Sequence, residues 1–169
     1  MEDNIELIKA KSDLFISEIY RMMVEELGIK DVFKRQTDRL SMAEYKYLIR
    51  YENNIVGFVN LVKEHDNEDF LFLDMGIKGK YKGQGIGRTV LNKIKEMNID
   101  KYIIAEASVY NLPANEAIRN IGFGLAIINR NSYFLLQEDR LREFMEDDCL
   151  TKLKEHLEKD RKRVLVYKR

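Results

Sequence analysis

The stretch that most constrains this chain is residues 74–95, DMGIKGKYKGQGIGRTVLNKIK. It begins at the end of an apolar run (FLFLDMGI, 70–77) and passes through a glycine-rich loop. It then places Ile86, Val90, Leu91, Ile94 and Met97 on one helical face. A near-continuous apolar run predicts a central strand. Apolar spacing of three and four predicts a helix over 86–97 that covers it. Five of the nine glycines lie between Gly76 and Gly87. Glycine is concentrated where backbone turns sharply or meets a ligand closely.

The rest of the chain reads around this unit. Residues 5–9 (IELIK) alternate as a short strand, and Ser12 suits the N-cap of a helix over 13–27. On that helix Leu14, Phe15, Ile19, Met22, Met23 and Leu27 fall at helical spacing, and Gly28 is a stop. Residues 30–41 read as irregular or a short helix. YKYLIRY (45–51) and IVGFVNLVK (55–63) flank Asn53-Asn54 as a hairpin. Residues 101–109 form a buried strand, 114–121 a helix, and 123–128 with 132–136 a second hairpin across 129–131. A long helix is predicted over 138–160, with Leu141, Phe144, Met145, Leu150, Leu153 and Leu157 as its stripe. VLVY (164–167) reads as a final edge strand or a contact with another subunit, and strand exchange would make a homodimer.

Charge excludes several functions. The 29 Lys and Arg balance the 29 Asp and Glu over 169 residues, which argues against binding nucleic acid by charge alone. Residues 138–148 hold six acidic and two basic residues, and 152–169 hold eight basic and three acidic. Acid first and base last suits the helix dipole, so the run reads as a solvated face rather than a nucleic-acid patch at 159–163. No apolar run is long enough to cross a membrane, and the first ten residues lack a secretory pattern. Cys149 is the only cysteine, His65 stands far from it and His156 alone follows seven residues on, so no disulfide and no metal cluster is expected, and the expected compartment is the reducing cytoplasm.

A helix N-terminus carries unpaired amides and partial positive charge, and glycines let a phosphate reach them. Between Met75 and Lys95 there are six basic residues (Lys78, Lys80, Lys82, Arg88, Lys93, Lys95) and no acidic one. The field suits a polyanion. The loop is not G-x-x-x-x-G-K-[ST], and Gly83-Gln84-Gly85-Ile86-Gly87 lacks the G-x-G-x-x-G spacing. Nucleoside-triphosphate and dinucleotide loops are therefore set aside.

Lys82-Gly83-Gln84-Gly85-Ile86-Gly87, between an apolar strand and an amphipathic helix, resembles the acetyl-CoA loop of the GCN5-related N-acetyltransferases. That family's pattern is Gln/Arg-x-x-Gly-x-Gly/Ala, and Lys82 keeps the cation at its first position. Asn111, Ala114 and Gly122-Phe123 resemble the family's second segment, Asn-x-x-Ala…Gly-Phe. The resemblance covers roughly residues 5–136. It implies an α/β (α+β) single domain: a mixed, mostly antiparallel twisted sheet of about seven strands, splayed between strands four and five and flanked by helices. The implied acetyltransferase domain is 1–136. Residues 137–169 are then a C-terminal helical extension packed on it or on a partner subunit.

The resemblance also implies a chemistry: transfer of an acetyl group from acetyl-CoA to a primary amine of a small molecule or a protein, in a ternary complex. Lys82, Gly83, Gln84, Gly85, Ile86, Gly87 and Arg88 would bind the pyrophosphate. A bulge at Met75-Gly76-Ile77 would orient the pantetheine arm and thioester carbonyl, and Asn111 would contact the pantetheine. The acceptor cleft would be lined by residues 16–39 and 129–132, where Glu18, Glu25, Glu26 and Asp31 could attract a cationic amine.

Such transfer needs a base, an oxyanion stabiliser and an acid. Two carboxylates sit within apolar strands, Asp74 and Glu106, and apolar surroundings favour the neutral carboxyl that a base becomes. Glu106 also matches a glutamate of members resembling the ribosomal-protein N-terminal acetyltransferases, a base acting through water. The position of the family's usual tyrosine acid is Ile118 here, leaving Tyr110 and Tyr133 as substitutes. That departure keeps open a non-catalytic coenzyme-binding module.

Overall fold

Alternating apolar residues around tight turns build the first half of the sheet. The computed structural model describes residues 4–27, 40–63, 68–97, 99–105, 124–129, 132–134, 146–160 and 164–167. Strand β1 (Ile5–Lys9) leads to helix α1 (Asp13–Leu27), then to strands β2 (Ala43–Tyr51), β3 (Asn54–Val62) and β4 (Phe70–Ile77). Helix α2 (Ile86–Glu96) follows the glycine loop. After it come β5 (Tyr102–Ala105), β6 (Gly124–Asn129), β7 (Ser132–Phe134), α3 (Asp147–Asp160) and β8 (Val164–Tyr167). Ser12 caps α1 as expected, its hydroxyl accepting from the Phe15 amide at 3.4 Å.

The strands form one eight-stranded sheet in the order β1-β2-β3-β4-β5-β8-β6-β7. Pairings β1–β2, β2–β3 and β3–β4 are antiparallel, and β4–β5 is parallel from Phe70↔Tyr102 to Leu73↔Ala105. The splay expected beyond that point falls on residues after 105, outside the described ones. The second hairpin is present, with Asn129 opposite Ser132.

The strand 164–167 corrects an expectation. It is not an edge strand. It lies inside the sheet, antiparallel to β5 (Ile103↔Tyr167) and to β6 (Gly124↔Val166). A V-L-V-Y segment suits a position with hydrogen bonds on both edges. The sheet thus has eight strands instead of seven and takes one from beyond residue 136. Helix α3 docks beside the β4–β5 end. Lys152 binds Asp69 at 2.5 Å, the Tyr102 hydroxyl accepts from the Glu146 amide at 3.4 Å, and Leu150 is buried. Residues 138–145 of the expected long helix lie outside the described ones.

Among the described residues, α2 covers one face of the sheet and α1 the other. On one face α2 buries Ile86, Val90, Leu91 and Ile94 against Val59, Leu61, Leu71, Leu73 and Ile103. Burying each such side chain is worth roughly 1.5–3 kcal/mol. On the other face α1 buries Ile19, Met22 and Met23 against Leu48 and Phe58. The buried stripe of α1 is rotated from the expected one: Leu14 is 76% exposed and Phe15 lies at the margin, while Ile16 and Tyr20 pack inward. Among the described residues no helix is long and apolar enough to cross a membrane.

The bulge expected at Met75-Gly76-Ile77 is not there. The β3–β4 register runs unbroken through Gly57↔Ile77, Phe58↔Gly76 and Val59↔Met75. Gly76 has a different cause. A Cβ at this position would lie 2.6 Å from Cε1 of Phe58, whose ring is fully buried. Gly76→Ala is therefore expected to cost about 1–3 kcal/mol as an overpacked core does. Thermal unfolding should show the loss, and adding Phe58→Leu should recover part of it.

Candidate functional site

The site grows from the end of β4. The Lys78 amide donates to the Val56 carbonyl and its ammonium to the Ile55 carbonyl, both at 2.8 Å, so the chain is pinned where it leaves the sheet. A single 3-10 turn (Gly79–Tyr81) follows, and then Gly83 and Gly85 adopt φ of +79° and +78°. That left-handed backbone is what glycine permits. Gly85 is the N-cap of α2, its carbonyl accepting from the Thr89 amide at 3.1 Å, and no side chain caps the helix. The amides of Ile86, Gly87 and Arg88 thus have no acceptor within the helix. A Cβ on Gly83 or Gly85 would meet nothing within 4 Å, so the approach to this backbone is open.

The loop is braced from within and from α1. The Gln84 side-chain amide donates to the Lys80 carbonyl at 3.1 Å, and the Lys80 ammonium stands 4.8 Å over the Tyr81 ring. Glu26 accepts from the Gly79 amide at 3.3 Å and binds the Lys82 ammonium at 3.2 Å. Glu18 binds Arg21 at 2.6 Å and lies 3.6 Å from the Lys78 ammonium. Lys78 and Lys82 therefore already hold carboxylates. Arg88 is exposed and forms no ion pair among the described residues.

This bracing corrects the reading of the α1 acids. Glu18, Glu25 and Glu26 face Arg21, Lys78 and Lys82 of the chain itself, so they are not free to attract an amine. Charges three and four residues apart pair on a helix, which explains Arg21 with Glu18 and Glu25. The reach from α1 to the loop is a tertiary fact with no local sequence signal. Asp31 lies outside the described residues.

The other expected site residues divide clearly. Met75 and Ile77 pack on the α2 face of β4, next to the loop. Ile86 is 2% exposed, so its side chain belongs to the core and only its amide faces the site. A Cβ on Gly87 would make an ordinary 3.5 Å contact with the Met75 methyl. Asp74 is half-buried on the α1 face of β4, opposite Asn60 in the ladder. Tyr133 stands on β7, the outermost strand, with β8 and β6 between it and β5. Glu106, Tyr110, Asn111, Ala114, Ile118 and Gly122-Phe123 lie outside the described residues. Sequence reasoning missed Asn60, the one buried polar side chain among the described residues. Its signal was a lone asparagine in the apolar run IVGFVNLVK.

A strand, an uncapped helix and a left-handed glycine loop together leave aligned backbone amides facing open space. The sequence matches the acetyltransferase (GNAT) family over residues 14–123, and the chain belongs to that family of acyltransferases. No curated protein matches it. Among solved structures, a GNAT family acetyltransferase from Elizabethkingia anophelis with acetyl-CoA bound is 17% identical. The match covers 99% of each chain at a TM-score of 0.66. The ribosomal-protein-S18-alanine N-acetyltransferase from Escherichia coli is 13% identical over 96% of this chain and 90% of its own, at 0.63. Naa50 from Arabidopsis thaliana, in complex with the bisubstrate analogue CoA-Ac-MVNAL, is 16% identical over 96% and 97%, at 0.60. At these identities the likeness is one of fold.

The bracing of the loop by α1 has a pH signature. The Arg21 hydrogen bond is the main cause holding the Glu18 carboxyl below its ordinary value of 4.5, with Lys78 adding to it. A carboxyl depressed in the folded state stabilises it above the unfolded value, and the contribution fades as pH falls through the folded one. Wild type should exceed Glu18→Gln in melting temperature at neutral pH, and the two should converge as pH drops below 4.5. For a partly exposed pair the difference should be at most about 1 kcal/mol. Melting curves of both proteins across that range check it.

Proposed function

We propose that this acyltransferase moves an acetyl group from acetyl-CoA to a primary amine of a small molecule or a protein, directly in a ternary complex. The observation that carries the reading is the open N-terminus of α2. Its amides are uncapped, its two left-handed glycines face free space, and no acidic residue occurs between Met75 and Lys95. Aligned amides and a helix dipole favour a pyrophosphate there. Acetyl-CoA supplies the thioester that is cleaved.

The chain's own residues take the following parts in this proposal. The main chain of Gln84, Gly85, Ile86, Gly87 and Arg88, with Gly83 and the cations of Arg88 and Lys82, holds the pyrophosphate. For Lys82 this means exchanging Glu26 for phosphate. Backbone at Met75–Ile77 lies at the open end of β4, suited to orient the pantetheine arm and polarise the thioester carbonyl. Asn111 contacts the pantetheine. Glu106 or Asp74 takes the ammonium proton. With Ile118 at the usual acid position, Tyr110, Tyr133 or water protonates the thiolate.

The structures named above include the ribosomal-protein-S18-alanine N-acetyltransferase. This supports a peptide α-amine as one acceptor to test, beside a polyamine and an amino sugar. Titration calorimetry with acetyl-CoA tests the site. Arg88→Glu and Gly85→Asp each set a carboxylate against phosphate and should weaken binding by well over 1 kcal/mol, about tenfold or more. Binding that both variants leave intact would sink the loop assignment. Amine-dependent release of free thiol separates the enzyme from a coenzyme-binding module, which would bind without turnover.

A further inference from the structure

Asn60 is 0% exposed and is the only buried polar residue among the described ones. Its Nδ2 donates to the thioether of Met23 on α1 at 3.7 Å, and its Oδ1 receives no hydrogen bond from the described residues. A thioether is a weak acceptor. Turning the amide over only exchanges which half is orphaned. An unsatisfied buried amide oxygen is destabilising, so an apolar residue of the same size would be more stable here. Natural chains retain such a cost where function uses it.

The β3–β4 register sets Asp74 directly opposite Asn60. Side chains of directly paired residues lie on one face with Cβ atoms about 4.5–5.5 Å apart. Asp74 is the first β4 residue past the last described β4–β5 pair, Leu73↔Ala105, and it precedes Met75–Ile77 by one position. An ionised carboxylate only accepts hydrogen bonds and offers Asn60 Oδ1 nothing. A protonated carboxyl carries one O–H donor.

We infer that Asn60 is a positioning residue for acetyl transfer, its buried Oδ1 accepting the O–H of Asp74 once Asp74 has taken the proton of the acceptor ammonium. The inference rests on the acetyltransferase reading and selects Asp74 over Glu106 as the base. The step balances. One ammonium proton passes to the Asp74 carboxylate. The neutral amine forms the C–N bond as the thioester C–S bond breaks, and its surplus proton leaves with the thiolate. Asp74 then returns its proton to solvent. The amide of Asn60, clamped under α1, orients the carboxyl while it holds that proton.

Two measurements test this. The first needs no acceptor. Asp74→Asn gives position 74 a permanent N–H donor, imitating the protonated acid. It should raise the melting temperature in wild type, and the gain should vanish in an Asn60→Leu background. Additive effects of the two changes would overturn the juxtaposition, because residues in contact are coupled and independent ones add. The second is thiol release from acetyl-CoA with a short peptide α-amine, spermidine and glucosamine as acceptors. Asn60→Leu should fold at least as stably as wild type and lose about tenfold or more in kcat, within the range of general-base catalysis. The KM for amine and acetyl-CoA binding by calorimetry should stay unchanged.

A buried residue of merely structural role would move stability and leave kcat within twofold, and that result sinks the inference. Should Asn60→Leu fail to fold, Asn60→Ser keeps a small acceptor at the site and should retain more activity than Asn60→Ala. Equal losses in those two would also refute it. If wild type does not bind acetyl-CoA, the acetyltransferase reading itself fails. If it binds and turns over while Asn60→Leu keeps its kcat, only this inference fails.

Discussion

Among the described residues, the candidate site hangs from the β3–β4 ladder. Six consecutive pairs, from Gly57↔Ile77 to Val62↔Phe72, hold β4 in one register. A slip of one residue would exchange the two faces, sending Asp74 toward α2 and Met75 toward α1. It would also drive Phe58 into a side chain other than the bare Gly76. The ring of Phe58 over Gly76 therefore fixes the register as well as filling the core. From that anchored strand the chain leaves through Lys78, and the glycine loop and α2 follow in a single path.

The two helices divide the labour between the faces. Helix α2 is buried along one stripe, yet its first turn stays open, because Gly83 and Gly85 carry the backbone up to it without side chains. Helix α1 packs the opposite face with Ile19, Met22 and Met23, and its acidic edge reaches around to brace the loop through Glu18 and Glu26. The loop is thus held from behind while its front is free. An ion pair at the surface is worth little alone. Here the Gly79 amide hydrogen bond and two lysines converge on one short helix edge, which gives the loop a defined shape before any ligand arrives.

Much of this was legible in the residues. The bounds of α1 and β4, the hairpin of β2 and β3, and the buried stripe of α2 follow from period and caps, because those signals are local. The family's loop was legible because glycine, cation and spacing coincide. The rest was set by partners far away in sequence. Period two marks VLVY as a strand but says nothing about its neighbours, and the structure puts it between β5 and β6. Gly76 reads equally as a bulge or a gap for a ring, and only the position of Phe58 decides. The acids of α1 look like bait for an amine until Lys78 and Lys82 are seen beside them. Asn60 is, in the sequence, a lone polar residue of an apolar strand, and its isolation appears only once Met23 covers it.

The interior place of β8 has a consequence for how the molecule is made. Strands β5 and β6 meet only through β8, so neither can complete its hydrogen bonding on that side until residues 164–167 have been synthesised. Contacts between residues so far apart in sequence slow folding, since a long loop must close before any of them forms. While the ribosome still holds this segment, the nascent sheet carries two open edges, the kind that recruit foreign strands. A short segment at the far end of the sequence thus decides when the sheet stops being sticky.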